Sequence, residues 1–414
     1  MTNFKEQEEL CNTYTLPNGL RIIHEPSRSR VAYCGFAIDA GTRDERADEQ
    51  GMAHFVEHLL FKGTRKRKAW HILNRMERVG GDLNAYTNKE ETVVYSAFLT
   101  EHFARALELL ADIVFHSTFP EKEIAKETEV IIDEIQSYED TPSELIFDDF
   151  ENLIFKGHPL GRNILGDPQR LKAFRPADAA AFTARYYHPA NLVLFVQGDL
   201  DFRRVVRLAE RLLADIPAGP GRERRLPPPP YRPATLTLHK DTHQAHVMIG
   251  ARGYPASDDR RTALYLLNNL LGGPGMNSRL NVSLRERRGL VYSVESNLTS
   301  YTDTGAFCIY FGADPADVDL CLRLVRKELR RLRDVKMSTS QLSAAVKQLI
   351  GQIGVASDNN ENNALGMAKT FLHYNRFETS EALYSRIRRL TPETLLDVAG
   401  ELFAEENLST LIYR

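Results

Sequence analysis

Gly51-Met52-Ala53-His54-Phe55-Val56-Glu57-His58-Leu59-Leu60-Phe61-Lys62-Gly63-Thr64 is the stretch around which the rest of the chain is organised. His54 and His58 stand four residues apart, among apolar residues that suit a helix. At about 3.6 residues per turn, positions i and i+4 lie one above the other on the same face. Two imidazoles so placed can grip one zinc ion at roughly 2.0–2.1 Å each. Glu57 borders the same face, close enough to touch a metal-bound water without ligating the metal. A base beside a Lewis acid is the minimum for metal-assisted hydrolysis. A helix whose histidines only hydrogen-bond to backbone or water has the same local sequence, so a third ligand decides between the two.

The chain has 414 residues and a mass of 47.0 kDa, too much for one ordinary core, so two or more domains are expected. Hydrophobic residues at 43% and charged residues at 26% are those of a soluble globular protein. A net charge of -3 gives no support for a nucleic-acid partner. No apolar run of about 18 residues exists to span a membrane. The first ten residues, MTNFKEQEEL, are acidic and lack an apolar core, so a secretory signal is not expected and the location is read as cytoplasmic. Cys11, Cys34, Cys308 and Cys321 are scattered, without a CxxC pair, as reduced buried thiols would be.

Outward from the histidine motif, Thr15 to Glu25 reads as a strand, an Asn-Gly turn and a second strand, followed by a strand from Val31 to Ala40. Arg65-Lys66-Arg67-Lys68 reads as a solvated turn. Trp70 to Val79 is helical and ends at Gly80-Gly81; Asp82 to Thr87 and Glu91 to Leu99 alternate like strands. A helix from His102 to Phe115 precedes a long helix from Glu121 to Tyr138. On that helix Glu127 and Glu134 are seven residues apart and share a face, while Ile124, Val130, Ile131 and Ile135 pack. A carboxylate from this helix completes a three-ligand set with one position open for water, as catalytic zinc requires. Gly157 to Pro168 reads as loop, Leu192 to Gln197 as a strand and Arg203 to Leu213 as an amphipathic helix.

The proline-rich run from Pro217 to Pro230 is the clearest boundary, an extended linker. It divides the chain into domains at 1–216 and 233–414, with a linker at 217–232. Beyond it the order of elements returns, an internal duplication at an offset of about 218 residues. Strands fall near Thr235 to His239, Ala245 to Ala251, Tyr292 to Thr299 and Gly305 to Gly312, with helices at Arg260 to Leu271, Pro315 to Leu332 (Asp314 as N-cap) and Ser338 to Ile353. In the repeat Tyr265 and Asn269 stand for the histidines, and Ala345 and Gln352 for the two glutamates, so the second half is not expected to hold metal. His243 and His246 lie in a strand-like run, where i and i+3 point to opposite faces, which argues against a shared metal there. The fold class is α+β: two homologous α/β domains, each a mixed, largely antiparallel sheet with helices on one side.

Taken together, these features resemble the insulinase-type zinc peptidases, the family of pitrilysin, insulin-degrading enzyme and the mitochondrial processing peptidase. The His-x-x-Glu-His order is the inverzincin signature. Glu134 follows His58 by 76 residues, as the family's ligating glutamate does, and Glu127 sits one heptad earlier, where the family has a second acid. Gly80-Gly81-Asp82-Leu83-Asn84-Ala85-Tyr86-Thr87 is similar to the family's active-site edge strand, and Leu284 to Val294 (LRERRGLVYSV) to its Arg/Tyr element.

The resemblance implies one Zn2+ per chain on His54, His58 and Glu134, with Glu127 orienting a histidine ligand. It makes Glu57 the general base and places Tyr292 at the developing oxyanion, with Arg285 gripping a substrate carbonyl or supporting Tyr292. Backbone groups near Asn84 and Ala85 would pair with an extended peptide. The implied activity is a zinc endopeptidase or oligopeptidase acting on unfolded or short peptides in a closed clamshell chamber. With two domains, the chain resembles the short members that assemble as pairs, which implies a homodimer with Arg285 and Tyr292 acting in trans. The alternatives are the zinc-bearing subunit of a heterodimer with a metal-free paralogue, and a non-catalytic scaffold subunit.

Overall fold

Strand interiors in this chain are apolar at nearly every position, and the fold gives the reason: both faces of each sheet are covered. The computed structural model describes residues 11–221, 224–240 and 242–414. The first ten residues, on which the absence of a signal was read, lie outside the described residues, as do Arg222 and Glu223 of the expected linker.

Strands β1 (Asn12–Thr15), β2 (Arg21–Pro26), β3 (Val31–Ile38), β4 (Asp82–Thr87), β5 (Thr92–Leu99) and β6 (Leu192–Gly198) form one sheet in the order β1-β2-β6-β3-β5-β4. Only β2 and β6 run parallel. Strands β7 (Thr235–Leu238), β8 (Ala245–Gly253), β9 (Val291–Ser300), β10 (Gly305–Ala313) and β11 (Ser409–Tyr413) form the other, in the order β7-β11-β8-β10-β9, parallel only at β7 and β11. The second sheet repeats the first without β1, strand for strand and direction for direction, so the duplication read from the sequence is an architectural one.

The helices are α1 (Met52–Leu60), α2 (Ala69–Glu77), α3 (Phe103–His116), α4 (Glu121–Glu139), α5 (Pro142–Ile154), α6 (Pro168–Ala173), α7 (Pro176–Tyr186) and α8 (Phe202–Leu213) in the first half. The second half has α9 (Arg260–Gly272), α10 (Val318–Asp334), α11 (Thr339–Ala356), α12 (Asn360–Tyr374), α13 (Ser380–Arg388) and α14 (Pro392–Leu402). Helices α5–α7 and α12–α14, and strand β11, are additions to the expected elements. Helix α10 begins at Val318 with Asp317 at its N-cap. Asp314 instead heads the preceding turn, accepting from the Ala316 N–H at 2.9 Å. The basic loop is only partly solvated: Arg67 turns inward to Asp112 (2.5 Å) and Glu108 (2.7 Å).

The expected division at the linker gives way to two discontinuous units. One comprises residues to 136, 163–225 and 357–379; the other comprises 137–162, 226–356 and 380–414. Helix α12 therefore belongs with the first sheet and α5 with the second. These two helices start 218 residues apart and are equivalent in the repeat. Burial is the cause. The main helical layer lies on one face of each sheet, as expected, and the opposite face is also apolar, so it needs a cover. Ala364, Met367, Ala368, Phe371 and Leu372 of α12 meet Ile23, Ala37, Val93, Tyr95, Val193 and Phe195. Ile146, Phe150 and Ile154 of α5 meet Met248, Cys308, Tyr310, Leu411 and Tyr413. Each fully buried aliphatic or phenyl side chain contributes about 1.5–3 kcal/mol relative to exposure.

Polar contacts fix where α12 lands. Arg21 donates to the carbonyls of Phe371 and Leu372, both at 3.1 Å, at the helix's C-terminal end. Glu91, 1% exposed, accepts from Lys369 at 2.6 Å and from His373 at 3.1 Å. Burial alone would raise the Glu91 carboxyl, but the His373 hydrogen bond and the Lys369 charge hold it down to about 2. A depressed carboxylate stabilises the fold above its ordinary value and loses that contribution as pH falls through the folded value. Glu91→Gln is therefore expected to lower stability at pH 7 by roughly 3 kcal/mol, the low end for breaking a buried pair. The gap between variant and parent urea midpoints should close as pH drops from about 4.5 towards 2.

Candidate metal centre and edge strand

Helix α1 starts on Gly51, whose φ of 95° is a left-handed conformation that favours glycine. A Cβ there would also lie 2.8 Å from the Cα of Gly166, so the two glycines pack back to back. Downstream, α1 runs into a short backbone ladder. Thr64 bridges Ser117, the Thr118 N–H donates to the Gly63 carbonyl at 3.1 Å, and the Arg65 N–H donates to His116 at 3.0 Å. The Thr64 hydroxyl and Arg67 both donate to Asp112, at 2.8 Å and 2.5 Å. This clamp joins the end of the α1 segment to the start of α4, and so sets the histidines beside the glutamates.

The His54 and His58 rings lie 4.7 Å apart, centroid to centroid. Their Nε2 atoms face Glu134 Oε2 at 3.9 Å and 3.8 Å. Among the described residues His54, His58 and Glu134 form the one group of three whose ligand atoms all lie within 4.8 Å of one another. The 3.8 and 3.9 Å separations are too wide for hydrogen bonds and a few tenths of an ångström above the roughly 3.4 Å between ligands of a tetrahedral zinc. Two imidazole nitrogens and a carboxylate oxygen, spread around a gap of that size, fit the ion. Glu127 takes the other side of His58: Nδ1 donates to Oε2 at 3.1 Å, while Lys62 holds Oε1 at 2.7 Å. A proton on Nδ1 leaves the Nε2 lone pair of His58 turned towards Glu134.

Glu127 is buried with Ile124, Thr128, Ile131, Ile132 and Ile135 in the inner stripe of α4, and the half-buried Glu134 sits at its margin. Val130, expected to pack, lies one step further round and is 48% exposed. Burial, with a smaller push from the His58 ring, lowers His54 to about 3 and keeps its imidazole neutral. Burial raises the Glu57 carboxyl, against the Thr87 hydroxyl and His58, which pull it down. Its Oε2 is buried without a hydrogen-bond partner among the described residues, as a base waiting for a water would be.

Strand β4 is the last strand of its sheet, paired with β5 on one edge and with no strand on the other among the described residues. Asn84 is exposed and Ala85 half-buried, on a strand against which α1 packs. In the second unit Arg285 lies in a π-helical turn, Asn281–Glu286, and Tyr292 is the second residue of β9, the corresponding edge strand. The Arg285 guanidinium stands 6.0 Å from the Tyr292 ring centroid, and Tyr292 is 83% exposed. Both line a cavity of about 860 Å³ with Tyr265, Asn269 and Gln352, the counterparts of the metal-centre residues. Phenol and amides there supply no ligand set. His246 bonds the Tyr310 hydroxyl at 2.9 Å and His243 is exposed, so that pair makes no site.

Sequence reasoning passed over Lys62 and Glu45. Lys62 lies four residues past His58, where a helix-face reading could have found it. Glu45 caps α1 from outside the helix, and no local pattern announces that.

Residues 21–168 match the model of the insulinase family, peptidase family M16, and residues 173–349 that of the peptidase M16 inactive domain. An uncharacterized zinc protease of Bacillus subtilis, YmxG, is 32% identical over 97% of this chain and 98% of its own. One from Rickettsia felis is 31% identical over 98% of each. Among solved structures, a protease from Helicobacter pylori superposes with a TM-score of 0.90 at 22% identity, over 98% of this chain and 99% of that one. A peptidase M16 inactive domain from Pseudomonas fluorescens gives 0.91 at 21%, over 97% of each. At such identities the structural likeness speaks for the fold.

Glu127→Gln removes the charged acceptor of His58 and is expected to weaken zinc binding by about 10–100-fold. Competition with a chromophoric chelator measures it, with far-UV circular dichroism unchanged.

Proposed function

The chain belongs to the insulinase family, peptidase family M16, as a zinc metallopeptidase of that type, and on this premise we propose that it is an endopeptidase or oligopeptidase of unfolded or short peptides. The observation that carries the proposal is the convergence of His54, His58 and Glu134 beside Glu57, whose free oxygen is buried. Held by His54, His58 and Glu134, zinc would supply Lewis acidity, polarising the scissile carbonyl and acidifying a water. The rest is work for the side chains.

Glu57 takes the proton of the attacking water and returns it to the leaving amine, a role that its burial beside the two imidazoles supports by raising its carboxyl above the ordinary value. Glu127 keeps the His58 ring oriented and its Nδ1 protonated. The free edge of β4 near Asn84 and Ala85 adds the substrate as an extra strand, so that backbone pairing supplies affinity and sequence preference stays loose. Tyr292 donates its hydroxyl to the carbonyl oxygen as charge develops, and Arg285 beside it grips a substrate carbonyl or supports the phenol. Both half-sites lie on one chain, which supports a homodimer in which the partner's copies of Arg285 and Tyr292 complete each zinc site within a closed chamber.

Glu57→Gln should lower kcat by about 10²–10⁴-fold on a quenched peptide while zinc content stays at one per chain. A metal-loaded parent that cleaves nothing in a broad peptide library would refute the peptidase reading. Mixing Glu57→Gln subunits with subunits carrying Arg285→Ala and Tyr292→Phe should restore activity, since one site of each mixed pair is then intact. Failure of mixed, exchanged subunits to cleave would dispose of action in trans.

A further inference from the structure

We infer that Glu45 is a positioning residue for the metal centre, holding α1 in the register that His54 and His58 need. The inference rests on the metal-binding reading above and goes beyond it, because Glu45 lies outside both the motif and α4. Helix α1 begins on a glycine and has no side-chain cap of its own. The Met52 N–H goes to the Glu49 carbonyl at 2.8 Å, but the buried N–H groups of Gly51 and Ala53 still require acceptors, having none within the helix. Glu45 supplies them from six residues upstream: Oε2 accepts from the Gly51 N–H at 3.0 Å and Oε1 from the Ala53 N–H at 2.9 Å. The residue is 4% exposed, so these are charge-assisted bonds shielded from water. Ala53 immediately precedes His54, and the carboxylate meets the positive end of the helix.

Glu45 is itself held in place. The adjacent Asp44 accepts from Nε and Nη2 of Arg225, at 2.7 Å each, and its backbone carbonyl accepts from the Tyr186 hydroxyl at 2.7 Å. Arg225 also reaches Asp39 at 3.0 Å and the Glu90 carbonyl at 2.6 Å. The loop is thus anchored on buried ion pairs to other segments, and its Glu45 carboxylate holds the start of α1 alongside the Met52 N–H to Glu49 carbonyl bond at 2.8 Å. Without that carboxylate, the first turn of α1 is free to fray or shift, and His54 lies within it. A ligand pair displaced by a fraction of an ångström binds a tetrahedral ion less well.

The test compares Glu45→Gln and Glu45→Ala with the parent, measuring zinc affinity by chelator competition and the thermal midpoint with and without zinc. Glu45→Ala is expected to weaken zinc binding about 10–100-fold, the range seen when groups that orient ligands are removed. The rise in midpoint on adding zinc should shrink correspondingly. Glu45→Gln, with one acceptor oxygen left, should fall between the two, and it carries the test if the alanine variant does not fold. A merely structural role would lower the metal-free midpoint and leave zinc affinity and the zinc-induced rise unchanged; that result in Glu45→Gln, with the parent binding zinc, overturns this inference alone. A parent that binds no zinc overturns the metal-binding reading and this inference with it.

Discussion

The backbone ladder between Gly63–Thr64 and Ser117–Thr118 sets the separation of two helices, one carrying the histidine pair and the other the two glutamates. Asp112 stiffens it. The carboxylate is 2% exposed and takes both the Thr64 hydroxyl and the Arg67 guanidinium, so the turn after α1 cannot swing without stranding a buried charge. With the ladder fixed, Glu127 reaches Nδ1 of His58 while Glu134 faces Nε2 of both rings. Two turns of helix thus separate the carboxylate at Nδ1 of His58 from the one that faces both Nε2 atoms.

Charge burial organises the surroundings of the centre as well. Asp39, Arg43, Glu90 and Glu91 lie at 5% exposure or less, in company with Arg225, Lys369 and His373. These residues come from four separate parts of the chain. Ion pairs of this kind add little net stability over an apolar core of the same shape, but breaking one leaves a bare charge in low dielectric. Their effect is to exclude other arrangements of the loop at 39–45, which in turn holds α1. The basic run at 65–68 illustrates the same rule locally: Arg67 is drawn inward by two acids, and its neighbours stay in solvent.

The two sheets show what repetition in sequence leaves undecided. Strand order and direction recur, and so does the position of the helix pair α5 and α12, yet each of these helices serves the other half's sheet. Nothing in the composition of Pro142–Ile154 or Asn360–Tyr374 marks a helix for one sheet over another, since each is amphipathic and fits an apolar face. The choice is made by long-range partners, such as Arg21 at the end of α12 or Tyr413, whose hydroxyl bonds Asp149 of α5 at 2.6 Å. The Pro-rich run does contain a crossing between the units, at 225–226, but it is one of five.

What the residues alone determined is local. The i, i+4 histidines and Glu57 share a helical face because successive side chains on a helix are fixed by their chain neighbours, and the exposed–half-buried alternation at the start of β4 follows from the pleat for the same reason. The repeat was legible because copied elements keep their apolar spacing. Glu127 and Glu134 were both visible as candidates, yet the spacing along α4 did not say which would ligate; resemblance to a family pointed to Glu134, whose Oε2 faces both imidazoles. Only the tertiary structure decided that Lys62 and Glu127 pair, that Glu45 caps α1, that Val130 faces solvent, and that α5 and α12 trade places. Each of those depends on where distant segments pack, and packing is settled by the burial of whole faces and buried charges together, which no short window of sequence contains.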